Sequence, residues 1–276
     1  MAGSVAERVR ASMGRRREAS TISSYASFAN RFAKFAHKQE GFTEDDALRY
    51  IDFLIDEGYS DSSIKWTYHA LKRTYRAVGS PFTVTLEDLP LGLHGPQHRP
   101  VLSKDEVGGL IAFTKACGSK AVRLYLAMST VYGLRRIELS RLRPESFSDG
   151  KVMIATAKHG DERLHLVPEE IQPIVREALQ AEALGYSTSG LTVMFRELCR
   201  SAGLVKNGSL GWHSIRRSLD TCLIDANLPY YTIKSFLRWK ASPTDMAGHY
   251  YRPDPAAVDR EVFAVHPFVP EWDRKR

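Results

Sequence analysis

The 276 residues suffice for one large domain or two smaller ones, and a content of 43% hydrophobic and 10% aromatic residues excludes a disordered chain. No apolar run approaches membrane-spanning length, and three scattered cysteines, Cys117, Cys199 and Cys222, exclude a disulfide framework or a zinc-type cluster. Lys and Arg outnumber Asp and Glu by 39 to 32, a net charge of +7 that favours polyanionic partners, nucleic acid first.

Residues 1–19 are basic without the apolar centre of a signal peptide, which predicts a flexible basic arm. From 20 to 79 the pattern is helical. Tyr25, Phe28, Phe32 and Phe35 step by three and four, as do Ile64, Tyr68, Leu71 and Tyr75, and each set predicts one buried stripe. The faces opposite carry Arg31, Lys34, Lys38, Lys65, Lys72, Arg73 and Arg76, a shared sign that points to a DNA-binding surface. Prolines and glycines crowd residues 80–100, which predicts a linker between this domain and a second one over 101–276.

In the second region Ser103 with Glu106 three residues on predicts a capping box at a helix start. A further helix is expected to run to about Val131 and to break at Gly133. "KVMIATA" and "RLHLVP" alternate like two strands joined by the turn "KHGDE", and helices resume from Pro168. The fold class expected is mostly α with a small antiparallel sheet. Cys222 lies at helical spacing with Ile215 and Leu219, which predicts a small core residue. Reduced thiols imply a cytoplasmic setting in a prokaryote or virus, or a nuclear one in a eukaryote.

The stretch "WHSIRRSLDT" places His213, Arg216 and Arg217 on neighbouring faces of one helix. Adjacent cations repel, so an anion bound between them is expected to relieve the crowding. Arg135 follows the helix-breaking glycine, Lys158 sits at the hairpin tip, and Trp239 precedes "GHYYRP". The sequence lacks a phosphate-binding glycine loop, a zinc-protease or serine-hydrolase motif, and an acidic cluster for Mg²⁺. The inventory of guanidiniums, an imidazole and a phenol suits phosphoryl transfer to tyrosine without metal or nucleotide cofactor. Guanidiniums grip the non-bridging oxygens, a lysine or histidine protonates the departing oxygen, and neighbouring cations favour the phenolate.

"VYGLRRIELSRLRPESF", "HSIRRSLDTCLIDANLPYYTIKSFLRWKAS" and "MAGHYYRP" resemble, in order, the catalytic boxes of the tyrosine recombinase, or phage integrase, family. "RPVLSKDEVGGLI" resembles the lead-in to that family's catalytic domain, and the preceding helices resemble its core-binding domain, so the likeness runs from about Ser20 to Pro253. The resemblance implies a site-specific DNA recombinase that forms a 3′-phosphotyrosyl intermediate. Its two domains would close around duplex DNA, and four protomers would act on two duplexes; no membrane partner is implied.

By the same resemblance Arg135 and Arg216 are phosphate clamps and Glu138 supports Arg135. Lys158 and His213 serve as proton donors or acceptors, and Trp239 donates to the phosphate. Tyr250 is the nucleophile, with Tyr251 as the alternative. Arg217 contacts the DNA backbone or solvent, and the Tyr230–Tyr231 pair falls inside a helical pattern. Two departures stand out. Arg238 replaces the glycine usual before the His or Trp, and the stretch from Trp239 to Tyr250 is longer than the family's. A protein that kept the fold and lost the reaction, acting in regulation or element maintenance, is the rival reading. The apolar residues of the tail from Pro255 are expected either to dock on a neighbouring protomer or to pack on their own domain.

Overall fold

The computed structural model describes residues 3–14, 17–92, 101–156, 162–204, 210–239, 250 and 252–273. The chain divides into two compact units, 1–98 and 99–276. No helix among the described residues is long and apolar enough to cross a membrane.

The first unit holds four helices, α1 Val5–Ser12, α2 Ala19–Ala36, α3 Glu44–Asp56 and α4 Asp61–Val78. Both predicted stripes turn inward: Phe28 and Phe32 from α2 meet Ile64, Tyr68, Leu71 and Tyr75 from α4 in one core. The rings of Phe32 and Phe42 lie 4.9 Å apart, and the Tyr75 hydroxyl donates to the Thr43 carbonyl at 2.6 Å. Helix α3 starts on a capping box of Thr43 and Asp46, whose carboxylate also accepts from Lys38 Nζ at 2.8 Å.

The N-terminal arm expected to be flexible is instead a packed helix. Ser4 and Glu7 form its capping box, and Val5, Val9 and Met13, spaced by four, are buried in the core. The short apolar stripe lies among basic residues whose charge masks it in the sequence. Its carbonyl end takes Arg73, whose Nη2 donates to Ser12 O. The linker expected from residue 80 also starts later, because Val84 and Leu89 are buried in this same core.

The second unit is helical around a small sheet. In chain order come α5 Lys104–Cys117, α6 Lys120–Tyr132 and the one-turn α7 Arg136–Leu139. The strands β1 Phe147–Ser148, β2 Lys151–Ile154 and β3 Arg163–Leu166 follow. Then come α8 Gln172–Gln180, α9 Thr188–Ser201, α10 Trp212–Asp225, α11 Tyr230–Phe236 and α12 Pro255–Ala264. The sheet is antiparallel in the order β1-β2-β3, with Val152 opposite His165 and Ile154 opposite Arg163.

Helix α6 is the axis of this unit: from Leu124 to Tyr132 every side chain is buried. The expected capping box of Ser103 and Glu106 opens α5. The tail packs on its own domain: Phe268, Val269 and Trp272 are buried in the core, and Trp272 Nε1 donates to Thr130 Oγ1 at 3.0 Å. Cys199 is buried, Cys222 is half-buried against the core, and Cys117 is exposed.

Candidate active site

Gly133 ends α6 with a left-handed backbone, φ +59°. A Cβ there would come within 3.0 Å of Leu237 Cδ2 and 3.3 Å of Arg216 Cγ, so glycine is needed both for the turn and for the close approach. Arg135, with extended backbone, then caps the start of α7. Glu138, whose side chain is fully buried, reaches back to accept from the Arg135 backbone N–H at 2.9 Å and from Arg135 Nη1 at 2.7 Å. One carboxylate thus fixes both the first turn of α7 and the direction of the guanidinium, which stays partly exposed. Burial pushes the Glu138 carboxyl up, but the charges of Arg238 and Arg135 and their hydrogen bonds outweigh that and hold it below its ordinary range.

Helix α10 begins at Trp212, whose indole N–H donates to the Leu191 carbonyl at 2.7 Å, and Ile215 and Leu219 bury its inner face. His213, in the first turn, is exposed. Arg216 is only 3% exposed. Its Nη1 donates to the Gly133 carbonyl at 2.7 Å and its Nη2 to the Leu237 carbonyl at 2.5 Å. The charge crowding expected on this helix is therefore met first by backbone carbonyls. Burial, then the like charges of Arg238 and Arg135, lower the Arg216 pKa, yet an arginine stays charged at neutral pH. Arg217 is half-buried and donates to Ser214 Oγ at 3.2 Å.

Arg238 was legible only as a departure, and it proves to be the hub of the site. Its backbone is left-handed, φ +56°, a conformation that glycine adopts without cost and other residues rarely take. Its buried guanidinium donates to Phe236 O and Tyr132 O at 3.1 Å each, and lies 3.4 Å from Glu138 Oε2. It also meets His165 Nε2 at 3.0 Å. A guanidinium has no acceptor, so His165 Nε2 must accept, and its Nδ1–H donates to Asp259 Oδ1 at 3.0 Å. Burial first, and then the Arg238 charge, hold His165 neutral by pushing it down to about 4. Asp259 completes the chain by accepting from Arg163 Nη2 at 2.8 Å and the Leu166 N–H at 2.8 Å.

Trp239 follows directly, half-buried, with its ring 6.4 Å from that of Tyr230. Tyr250 is 78% exposed. Lys158 and Tyr251 lie outside the described residues.

No family model matches the sequence, and no curated protein matches it either. Solved structures match its fold throughout. A lambda integrase tetramer bound to a Holliday junction superposes with a TM-score of 0.70 at 15% identity, over 90% of this chain and 77% of that one. The Tn1549 transposon integrase in complex with circular intermediate DNA gives 0.63 at 14% identity, over 95% and 99%. The XerH site-specific recombinase in a post-cleavage complex gives 0.59 at 14% identity, over 89% and 79%. The chain has the tyrosine recombinase fold.

Within the second unit, Arg135, Glu138 and Arg216 come together around the α6–α7 turn. His213 stands one turn before Arg216 on α10, and Trp239 directly follows Arg238 in the chain. In the first unit Arg31, Lys34, Lys65, Lys72 and Arg76 are exposed on α2 and α4, whereas Arg73 is half-buried and engaged with Ser12. Arg163, His165, Asp259 and Arg238 are the residues that sequence reading missed. Their one signal was Arg238 at a position suited to glycine; the others come from two chain segments, β3 and α12, that only the fold unites.

Proposed function

We propose that the protein is a site-specific DNA recombinase that cleaves and rejoins duplex DNA through a 3′-phosphotyrosyl intermediate. The single observation that carries the reading is the gathering of three guanidiniums, Arg135, Arg216 and Arg238, around one buried carboxylate, Glu138, in a tyrosine recombinase fold. Such a site holds more positive than negative charge and is complementary to a phosphodiester.

In the reaction the Tyr250 oxygen attacks phosphorus as its phenolic proton passes to His213, with Tyr251 as the alternative nucleophile. Arg135, Arg216 and Trp239 hold the non-bridging oxygens while charge builds on them. The bond from phosphorus to the 5′ oxygen breaks, and that oxygen takes a proton from Lys158 or His213. The 3′-phosphotyrosyl ester conserves the bond energy, so a 5′ hydroxyl from a second strand reverses the step without metal or ATP. The exposed cations of α2 and α4 supply salt-sensitive contacts to the DNA backbone. As with the solved tetramer of the same fold, four protomers on two duplexes complete an exchange.

The test uses a pool of nicked duplexes of random sequence, from which the departing fragment diffuses away. A covalent protein–DNA band on a denaturing gel is expected, and peptide mass spectrometry should map it to Tyr250. The band should vanish in Tyr250→Phe and persist in Tyr251→Phe; the reverse moves the nucleophile by one residue. DNA binding with no covalent band would replace this reading with that of a binding protein that kept the fold alone.

A further inference from the structure

We propose that Arg238 is a positioning residue of the strand-cleavage site: it fixes the buried carboxylate of Glu138 and, through it, Arg135. The inference rests on the recombinase reading, since it assigns Arg135 to the scissile phosphate.

Three observations meet on this residue. Its backbone is left-handed at φ +56°, so an arginine stands where glycine would be free of strain. Its guanidinium is buried and engages one group from each of four segments: Tyr132 O at the end of α6, Glu138 on α7, Phe236 O on α11 and His165 on β3. Behind it, neutral His165 and Asp259 tie the same guanidinium to Arg163 and to α12. Glu138 Oε2 is shared between Arg238 and the Arg135 backbone N–H, while Oε1 takes the Arg135 side chain. With Arg238 gone, the carboxylate keeps its bonds to Arg135 but loses the group that sets its angle. Arg135 then leans toward solvent with its carboxylate. A lysine restores the charge but has no planar fork with which to span four acceptors.

The experiment measures covalent-complex formation at saturating DNA, on a nicked duplex selected by the wild-type protein, together with DNA affinity. Arg238→Gly relieves the backbone strain, and cleavage is expected to fall about 10–100-fold. DNA affinity should stay within about two-fold, because the loss lies in orientation and not in binding. Arg238→Lys should fall in between. The double variant Glu138→Gln/Arg238→Gly should cleave no more slowly than Glu138→Gln alone, because both act through one carboxylate.

Wild-type cleavage rates in both Arg238 variants would overturn the proposal, as would losses that multiply in the double variant or a loss confined to DNA affinity. If Arg238→Gly proves unfolded by circular dichroism, Arg238→Lys alone and with Glu138→Gln makes the same comparison. A wild-type protein that forms no covalent complex overturns the recombinase reading and this inference with it. A cleaving wild type with unaffected Arg238 variants overturns the inference alone.

Discussion

Arg216 and Arg238 divide the same two helix ends between them. Arg216 takes the carbonyls of Gly133 and Leu237, and Arg238 takes those of the preceding residues, Tyr132 and Phe236. The carbonyls at the C-terminus of a helix lack intrahelical partners and carry its negative dipole end, so they attract cations. Two like charges are tolerated side by side because the ends of α6 and α11 and the Glu138 carboxylate surround them. The same carbonyls hold Arg216 in place from behind.

That arrangement changes what Arg216 substitutions should do. Arg216→Lys cannot bridge two carbonyls and a phosphate at once, and covalent-complex formation should fall by about 10²–10³-fold, as for loss of one oxyanion donor. Arg216→Ala should abolish cleavage and also destabilise the protein by about 1–3 kcal/mol for each buried carbonyl left unpaired. Urea denaturation and the covalent-complex assay, run on both variants, separate the two effects. Full stability in Arg216→Ala would show that the two carbonyl contacts carry no weight.

Gly133→Ala tests the close approach of the two helix ends. The left-handed backbone alone costs an L-residue about 1–2 kcal/mol. The added methyl also presses on Leu237 at 3.0 Å and Arg216 at 3.3 Å. Stability should fall by more than the backbone cost, and cleavage should fall with it because Arg216 is displaced. A variant that loses stability but cleaves at the wild-type rate would separate the turn from the site.

The helical stripes of the first unit, the hairpin strands and the Ser103 capping box were legible because each rests on spacing within one element. Arg135, Glu138, His213 and Arg216 were legible as motifs for the same reason. Helix α1 was not, because Val5, Val9 and Met13 make too short a stripe to stand out among arginines. The Arg163–Asp259–His165–Arg238 chain was not either, since its members lie as far apart as 96 positions, from Arg163 to Asp259. Nor does spacing fix burial: Arg216 and Arg217 are adjacent and were expected to face the same way, yet Arg216 is buried and Arg217 half-buried.

Asp259 is the anchor of that chain, and it holds α12 to β3. Its side chain is fully buried and faces Arg163, His165 and the Leu166 N–H. Asp259→Ala leaves the buried Arg163 guanidinium without its counter-ion, though still bonded to Ser235 Oγ and Pro255 O, and leaves the His165 and Leu166 N–H groups without their acceptor, which should cost about 3–5 kcal/mol. Asp259→Asn keeps the shape but not the charge and should cost less. Urea midpoints of the two variants give the order. Equal loss in both would mean that the cavity, and not the buried charge, sets the cost.

The acid stability of the protein should be set in large part by His266. Its Nε2–H donates to the Val131 carbonyl at 2.9 Å, and its Nδ1 accepts from the backbone N–H groups of Phe268 and Val269 at 3.1 Å each. Both ring nitrogens are thus committed to the neutral form, and burial pushes its pKa down from 6.5 to about 4. Above pH 6.5 the residue is neutral in the folded and unfolded states, and its contribution is complete. Between 6.5 and 4 the unfolded chain takes up the proton and the folded one does not, so stability falls as the pH falls, by on the order of 3 kcal/mol. His165, also pushed to about 4, acts over the same window and in the same direction. Glu138, held low, adds its loss only at lower pH. His266→Gln offers a donor and an acceptor but no titrating group, so the change in urea midpoint between pH 7 and pH 4.5 should shrink markedly relative to wild type. An unchanged slope in that variant would mean that the ring takes up its proton in the folded state, with Nδ1 released from the two backbone donors.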